Sequence, residues 1–406
     1  MVGLTEISFP DMTRVFGRIG LLSFGGPAAQ IALMHKELVE DRPWLTEAQF
    51  LRALSFCMLL PGPEAMQLAT YAGWRMRGVT GGLLAGLLFV VPGALVIIGL
   101  ALAYGLYGQL PLVQSLFIGV KACVVMIVIQ ALIKVAKKAL KGWIHYLIAA
   151  ASFLALFALN APFPLVIAAA AAVGAVALHG EAEGGTPAPK TSTMGTLTTV
   201  ALWLVIWFAP IPLLVFFAPD ILTDMAMFFS TLAVVTFGGA YAVLAYMTQA
   251  VVGDFGWLTT AQMVDALGLA ETTPGPLILV TQFVAIVAGF KAGGVGLALV
   301  AGLVTLWVTF VPCFLWIFAG APYIDRLAHM PRLSGALSAI TAAVVGVIAN
   351  LGLWFAGAVF FEAGTPQAIP MFIALVAAAL LLWRKWDMLV VLPICAVLGL
   401  VLKGLV

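Results

Sequence analysis

The chain has 406 residues, of which 64% are hydrophobic and 9% are charged, and its formal net charge is +2. A soluble domain carries about 25% charged residues, so this composition excludes a chain whose surface faces water throughout. Apolar stretches at 83–106, 112–133 and 295–319 are each long enough to cross a bilayer core of about 30 Å. The sequence therefore predicts an all-α polytopic membrane protein.

The first half, residues 1–179, begins with a short amphipathic lead over 1–13. Two helical patterns follow, over 14–41 and from Thr46 to about Arg77, and glycine and proline residues interrupt each of them. The interruptions are Gly25–Pro27 and Pro61–Pro63. Four apolar spans are then predicted, at about 80–107, 111–136, 143–160 and 163–179.

Residues 180–196 are rich in Gly, Pro, Ser and Thr, and this composition predicts a flexible linker. A connecting transmembrane helix is expected at 197–222, followed by a second half at 223–406. That half repeats the plan, with interrupted segments across 225–290. Its four spans are predicted at about 293–319, 335–361, 366–383 and 387–405.

The interruptions occur twice, at a constant offset of 213 residues. Phe24–Gly26 recurs as Phe237–Gly239, and Pro61–Pro63 recurs as Pro274–Pro276; between Phe24 and Pro63, 18 of 40 positions are identical at this offset. An internal repeat fixes the architecture, so the chain is predicted to contain two homologous halves. After an insertion of seven residues the correspondence resumes at offset 220, where Lys121 matches Thr341.

Basic turns predict how the halves lie in the membrane. The turns at Arg75/Arg77 and at 134–141 are two spans apart, so both can be cytoplasmic. The connecting helix then starts the second half on the opposite side, which predicts inverted halves, as in many secondary transporters. The N-terminus and the linker are expected in the cytoplasm and the C-terminus in the periplasm. The interrupted segments either cross fully or re-enter as hairpins, and the charge distribution favours re-entry because it keeps all basic residues from Arg14 to Arg77 inside.

Proline and glycine within a helix are costly in lipid, because each freed backbone group needs a partner. Pro27 and Pro63 are expected to begin new half-helices, whose free N–H groups and positive dipole ends would face the interruption. Such ends bind anions, and up to four could converge between inverted halves. The alternative is that these residues serve only close helix packing. The residues predicted to bind the anion are Ser23, Phe24, Gly25, Gly26, Pro27, Gln30, Pro61, Gly62, Pro63, Gln67, Thr236, Phe237, Gly238, Gly239, Tyr241, Thr273, Pro274, Gly275 and Pro276.

Three charged residues are candidates for coupling or for a countercharge. Glu64 and Glu271 lie beside the second interruption of each half, and an acid within the membrane indicates a function such as proton coupling. A salt bridge or a snorkelling carboxylate is the alternative. Lys121 is either a fixed countercharge for the anion or a snorkelling lysine. No catalytic residue, cofactor or metal site is expected, since the four cysteines lack CxxC spacing and the four histidines are dispersed.

Several motifs resemble those of the chromate ion transporter (CHR) family. In the first half these are SFGGPAAQIALM (Ser23–Met34), RPWL (Arg42–Leu45) and LLPGPEAMQLATYAGW (Leu59–Trp74). TFGGAYAVLAYM, FGWLT and TTPGP resemble the second-half versions. The resemblance covers nearly the whole chain and is to the long members with two antiparallel domains. Many members have Asn where this chain has Glu64, and a third Gly where it has Ala240.

The family resemblance implies export of chromate across the bacterial inner membrane and chromate resistance, with sulfate as the structural analogue. Secondary active transport is the leading hypothesis, because the chain has no P-loop and the membrane potential favours anion exit by about 2.3 kcal/mol per charge per 100 mV. The alternatives are a transporter of sulfate or another oxyanion and a passive anion channel of the same fold. The expected partners are an oxyanion and the lipid bilayer, with no nucleic acid. Monomer and homodimer both stay open.

Overall fold

The computed structural model describes residues 7–178, 193–237, 240–324 and 330–404. The helices of the first half are α1 (Phe9–Leu22), α2 (Gly26–His35), α3 (Glu47–Cys57), α4 (Glu64–Tyr107), α5 (Pro111–Ala139), α6 (Trp143–Leu159) and α7 (Phe163–Ala177). The connecting helices are α8 (Thr193–Phe208) and α9 (Pro210–Phe217). The helices of the second half are α10 (Asp220–Val235), α11 (Ala240–Thr248), α12 (Thr260–Glu271), α13 (Val280–Gly320), α14 (Pro331–Phe360), α15 (Ala368–Ala378) and α16 (Met388–Gly404).

Short elements complete the chain. Single π-helical turns follow α2, α11 and α15, at Lys36–Glu40, Gln249–Asp254 and Ala379–Trp383. Short 3-10 turns lie at Leu277–Leu279 and Ala321–Tyr323, and a two-stranded antiparallel ribbon pairs Phe361–Glu362 with Thr365–Pro366.

Within the described residues, five helical segments are long and apolar enough to cross a membrane. They comprise α4, α5, the joined α8 and α9, α13 with its flanking turns, and α14, while α6, α7, α15 and α16 are shorter apolar helices. The prediction of an all-α polytopic membrane protein is confirmed. The connecting helix begins at Thr193 rather than at 197, and Pro210 divides it because proline cannot supply a helical N–H.

Both α4 and α13 fold back on themselves at a glycine. The backbone leaves helical geometry at Gly78 (φ 62°) and Gly294 (φ 73°), a left-handed region that glycine enters without strain. The two arms of the first bend pack closely. A methyl group added to Gly73, before the bend, would lie only 2.2 Å from the carbonyl oxygen of Gly81, after it. Each helix is thus a short first segment before the bend, followed by a full span.

The interrupted segments of the first half re-enter on one side. Arg77, at the bend of α4, donates from Nε to the carbonyl of Ile7, before α1, at 2.7 Å. Just after α2, Glu37 pairs with Arg18 of α1 at 3.3 Å and with Arg42 of the following loop. The start of α1, the loop after α2 and the bend of α4 therefore lie together. We call this side the Arg77 face.

The second half has the same arrangement. Lys291, beside the bend of α13, donates from Nζ to the carbonyl of Trp257 at 3.0 Å and to Oε1 of Gln262 at 2.7 Å. Trp257 precedes α12 and packs against Phe228 of α10, with ring centroids 6.1 Å apart. The loop between α11 and α12 and the bend of α13 thus share one side, the Lys291 face.

The two faces lie on opposite sides of the molecule because α4 and α13 pack antiparallel. Near the start of the α4 span, a methyl group on Gly82 would lie 2.6 Å from the Phe318 ring, near the end of α13. At the other end of α4, Gly105 lies against Phe290, next to the bend of α13. The small glycine surfaces allow this close approach. The halves are inverted, as predicted.

The remaining spans interlock across the halves. Helix α5 packs against α15 and α16, and its counterpart α14 packs against α6 and α7. Glycines permit both contacts: a methyl group on Gly119 would lie 1.7 Å from the carbonyl oxygen of Cys395, and one on Gly335 would lie 1.7 Å from that of Leu178. Each half therefore completes the core of the other.

Candidate functional site

Two equivalent hydrogen bonds hold the interruptions of the two halves together. The N–H of Gly62 donates to the carbonyl of Thr236 at 2.9 Å, and the N–H of Gly275 donates to the carbonyl of Ser23 at 2.8 Å. The offset of 213 residues relates Gly62 to Gly275 and Ser23 to Thr236. The contact is therefore reciprocal, and each Pro-Gly-Pro segment is tied to the end of α1 or α10 in the opposite half. We call the region of these two hydrogen bonds the junction.

Helices restart at the interruptions, as the prolines predict. Pro27 lies in the first turn of α2, Pro63 is the N-cap of α4, and Pro276 precedes the 3-10 turn that leads into α13. The first N–H groups of a helix have no partner within it, so these ends present donors near the junction. The glycines that permit the sharp turns have positive φ: Gly25 (87°), Gly26 (79°), Gly62 (115°) and Gly275 (87°).

Each Pro-Gly-Pro segment also packs against a proline-containing span of the other half. A methyl group on Gly93, next to Pro92 of α4, would lie 2.1 Å from the carbonyl oxygen of Pro274. A methyl group on Gly62 would lie 3.1 Å from Sγ of Cys313, next to Pro312 of α13. Gly93 and Cys313 correspond at offset 220. The junction thus lies between the two antiparallel spans.

The hydroxyl groups at the junction complete the broken backbone. Ser23, Thr236 and Thr273 are buried, and each donates to a helix carbonyl one turn earlier, at 2.6, 2.5 and 2.8 Å respectively. Their protons are therefore used within the protein. That they bind an anion stays a prediction.

The two predicted glutamine donors are occupied in the same way. Gln30 donates from Nε2 to the carbonyl of Gly275 at 2.7 Å and to that of Ser23 at 3.3 Å, so it braces the junction between the halves. Gln67 donates from Nε2 to the carbonyl of Pro61 at 2.7 Å. These carbonyls are the groups that an interrupted helix leaves unpaired. Oε1 of Gln67 is buried, and no described residue gives it a hydrogen bond.

Helix α13 carries a row of buried polar side chains, of which the two threonines were not predicted. Gln282, Thr305 and Thr309 are 0%, 0% and 3% exposed, and no described residue pairs with either amide atom of Gln282 or with the hydroxyl of either threonine. A buried polar group without a partner costs about 1–3 kcal/mol. Like Oε1 of Gln67, the row therefore has hydrogen-bonding groups that no described residue occupies.

The row reaches the junction along one face of α13. Thr305, Thr309 and Cys313 follow one another at helical spacing, and Cys313 contacts Gly62. The first-half positions matching the threonines at offset 220 are Ala85 and Phe89, so the internal repeat gives no signal for them. Their polarity within an apolar span is the only sequence signal.

The phenylalanines of the predicted site, Phe24 and Phe237, are both partly buried. Gly238 and Gly239 lie outside the described residues, so the second-half counterpart of the Gly25–Gly26 turn has no description. The structure brings each predicted Pro-Gly-Pro segment together with a predicted residue of the opposite half. Pro61–Pro63 meets Thr236, and Pro274–Pro276 meets Ser23.

The two candidate acids have different surroundings. Glu271 is 3% exposed and accepts a hydrogen bond of 2.6 Å from the hydroxyl of Tyr241, which joins α12 to α11. The first-half counterparts of Tyr241 and Glu271 are Ala28 and Met58, so this pair belongs to one half only. Glu64 is the first residue of α4, where the helix dipole favours a negative charge.

Lys121 forms an ion pair, and the two predictions for it, a countercharge for the anion and a snorkelling lysine, stay predictions. Its Nζ is 3.6 Å from Oδ2 of Asp265 on α12, and that oxygen also accepts a hydrogen bond of 2.7 Å from the hydroxyl of Tyr104. Sequence reasoning missed Asp265. The available signal was a carboxylate in an apolar helix at the position that matches Arg52 in the first half.

The sequence matches the family model described as "Chromate transporter" over residues 10–175 and 223–400. It is 32% identical to a probable chromate transport protein of Synechococcus elongatus, over 84% of this chain and 83% of the relative. It is 30% identical to a chromate transport protein of Cupriavidus metallidurans, over 96% and 92% of the two chains. An uncharacterised transporter of Methanocaldococcus jannaschii is 27% identical over 95% and 92%.

No solved structure matches the chain. The family match covers both inverted halves, including all four interruptions and the spans that pack against them. This multi-pass membrane protein belongs to the chromate transporter family.

Proposed function

We propose that the protein exports chromate, or a closely related oxyanion, across the bacterial inner membrane as a secondary active transporter. Family membership and relatives named as chromate transport proteins support an oxyanion substrate. The observation that carries the proposal is the reciprocal pair of hydrogen bonds from Gly62 to Thr236 and from Gly275 to Ser23. These bonds tie each Pro-Gly-Pro segment to the end of α1 or α10 in the inverted half, and an interface between inverted halves is where secondary transporters commonly bind their substrate.

The substrate site in this proposal comprises the predicted interruption residues together with the polar row on α13. N–H groups at the start of α2 and α4 supply the positive ends of helix dipoles. Gln282, Thr305 and Thr309 supply hydrogen-bonding groups without partners among the described residues. The N–H groups of Gly62 and Gly275 join them when the halves separate, because separation breaks their bonds to the opposite half.

The proposed direction follows from charge. The hairpins of the Arg77 face carry several basic residues, whereas Lys291 is the basic residue of the second-half hairpins, so the Arg77 face is assigned to the cytoplasm. A dianion leaving a cell whose interior is negative gains about 2.3 kcal/mol per charge per 100 mV. ATP is therefore not required. Proton coupling is assigned to Glu271, with its partner Tyr241, and to Glu64.

Uptake of radiolabelled chromate into inside-out proteoliposomes tests the function. Wild-type protein should accumulate chromate, unlabelled sulfate should compete, and preloaded anion should accelerate uptake by counterflow. Gln282→Leu should reduce uptake strongly, whereas Leu303→Ala, at an exposed position after the bend of α13, should not. Electrodiffusive current without counterflow would instead indicate a channel.

The coupling assignment has its own test. Glu271→Gln and Glu64→Gln remove the titratable groups but keep the side-chain size. If either acid carries the proton, the pH dependence of chromate uptake should flatten in that variant. Unchanged pH dependence in both variants would remove proton coupling at these residues from the proposal.

A further inference from the structure

A cleft with both polar and apolar walls opens on the Lys291 face. Its volume is about 980 Å³, and it lies among the end of α4, the start of α5, α12 and the ribbon between α14 and α15. Neutral polar side chains line the walls, among them Gln109, Gln114, Ser115 and Gln367. Lys121 is ten residues into α5, about 15 Å from the start of that helix. The ion pair of Lys121 with Asp265 therefore lies deep in the cleft.

The geometry of this ion pair leaves hydrogen-bonding capacity on both partners. The Nζ to Oδ2 distance of 3.6 Å is long, and the side chain of Lys121 is 26% exposed while that of Asp265 is 5% exposed. An ammonium group has three donors, of which one carboxylate oxygen occupies one. Oδ1 of Asp265 is buried, and no described residue gives it a hydrogen bond. Oδ2 is also held by Tyr104 at 2.7 Å.

The pair exists on one face only. The positions that match Lys121 and Asp265 in the other half are Thr341 and Arg52, which cannot form the same pair. Two identical halves would give the protein equivalent openings on its two faces. Lys121 and Asp265 make the opening on the Lys291 face chemically different from the one on the Arg77 face.

The charges that line the cleft are balanced. Lys121 and Lys403 are opposed by Asp265 and Glu362, so the cleft has no net charge to attract an anion. An anion that binds Lys121 must therefore compete with Asp265 for it. A tetrahedral dianion can compete, because it carries more charge than a carboxylate and accepts several hydrogen bonds at once.

We propose that Lys121 forms a second oxyanion site, on the Lys291 face, and that Asp265 is its built-in competitor. An oxyanion leaving the junction takes Lys121 from Asp265, and Asp265 regains Lys121 when the anion departs into the cleft. Tyr104 keeps Asp265 hydrogen-bonded during the exchange. In helix α12, Asp265 lies about 9 Å before Glu271, the last residue of the helix, and the junction at Pro274 follows just after it.

This inference rests on the proposed function for the identity of the anion. The experiment therefore reports on the cleft separately from transport. Ser115→Cys places a thiol in the cleft of the full-length protein, whereas the four native cysteines are buried. Sulfate, which does not oxidise thiols, is the probe. Occupation of the cleft should slow the reaction of that thiol with a bulky maleimide.

Four variants are compared in this background by the sulfate concentration that gives half protection. Lys121→Gln should raise that concentration about tenfold, and Asp265→Asn should lower it several-fold because the competitor is gone. The double variant should behave like Lys121→Gln. Glu362→Gln, a carboxylate elsewhere in the cleft, should match the background. Thermal unfolding of each variant checks the fold, and if Lys121→Gln does not fold, the effect of Asp265→Asn decides.

The contrary outcomes are distinct. If each single variant weakens protection and the double variant restores it, Lys121 and Asp265 form a structural brace and the proposal is wrong. If sulfate competes with chromate transport but never protects the cleft thiol, the second site is wrong and the transport function stands. If sulfate and chromate neither protect nor are transported, the proposed function falls as well.

Discussion

Gly93 of α4 lies so close to Pro274 that a methyl group on the glycine would be 2.1 Å from the carbonyl oxygen of the proline. The contact joins the proline-containing span of the first half to the Pro-Gly-Pro segment of the second. The residue that matches Gly93 in the second half, Cys313, lies beside Gly62, where an added methyl group would be 3.1 Å from Sγ. Each proline-containing span therefore packs against the Pro-Gly-Pro segment of the other half.

Gly93→Ala should destabilise the protein and abolish most transport. The added methyl group must push Pro274 and Gly275 away, and overpacking of this kind costs about 1–3 kcal/mol. Thermal unfolding in detergent and chromate uptake in proteoliposomes measure the two effects. Gly99→Ala is the matched control, because an added methyl group there would have no atom within 4 Å apart from its chain neighbours and the backbone of its own helix. Equal behaviour of the two variants would show that the tight contact is not needed.

Gln30→Met should weaken the attachment between the halves. The substitution keeps the side-chain volume but removes the donor to the carbonyls of Gly275 and Ser23, and losing such a buried bond costs about 1–3 kcal/mol. The expected result is a lower unfolding temperature and faster hydrogen exchange at Gly275. Gln249→Met, at an exposed position, should change neither quantity. Wild-type exchange at Gly275 in Gln30→Met would contradict the bracing role.

Labelling with a membrane-impermeant maleimide should place the hairpins. Cysteine introduced at Asp41 and at Lys141 should react from one side of the membrane, and cysteine at Asp254 and at Gln109 should react from the other. All four positions are exposed, and the native cysteines are buried. Full crossing of the interrupted segments would instead move Asp41 to the side of Gln109.

His35 should make stability depend on pH. Its Nε2 lies 2.7 Å from Glu47, and this hydrogen bond raises the pKa of the imidazole, with a smaller contribution from Glu40 at 3.1 Å. A raised pKa in the folded state means that folding favours the charged imidazolium. Its stabilising effect is complete below the unfolded pKa and is lost as pH rises through the folded pKa.

Raising the pH from about 6 to about 8 should therefore lower the unfolding temperature of the wild type more than that of His35→Gln. Glu47→Gln should reduce the pH dependence in the same way, because it removes the main partner of the imidazole. Parallel pH profiles for the wild type and His35→Gln would show that this group does not contribute.

The sequence could predict the features of the fold that occur in both halves. The constant offset pairs Gly62 with Gly275 and Ser23 with Thr236, so converging interruptions follow from inversion, and the capping boxes at Thr46 and Thr259 obey the same offset. Re-entry followed from the concentration of basic residues in the first-half hairpins. The apolar lengths fixed the spans to within a few residues.

The features that sequence could not predict depend on contacts between residues that the repeat does not relate. Lys121 meets Asp265 because α5 packs on α12, and no periodicity in either helix encodes that register. Thr305 and Thr309 look ordinary in an apolar span until their surroundings are known. The hydroxyls of Ser23 and Thr236 were expected to face an anion, yet the nearest acceptors are carbonyls of their own helices.

Each half supplies hydrogen-bond partners for buried backbone groups of the other, from Thr236 to Gly62 and from Ser23 to Gly275. Neither half can therefore satisfy these groups by itself. A chain severed within residues 179–192 should yield two fragments that are each insoluble or inactive when produced alone. Produced in the same cell, they should reassemble and regain transport, since no described hydrogen bond of the junction depends on the peptide link between them.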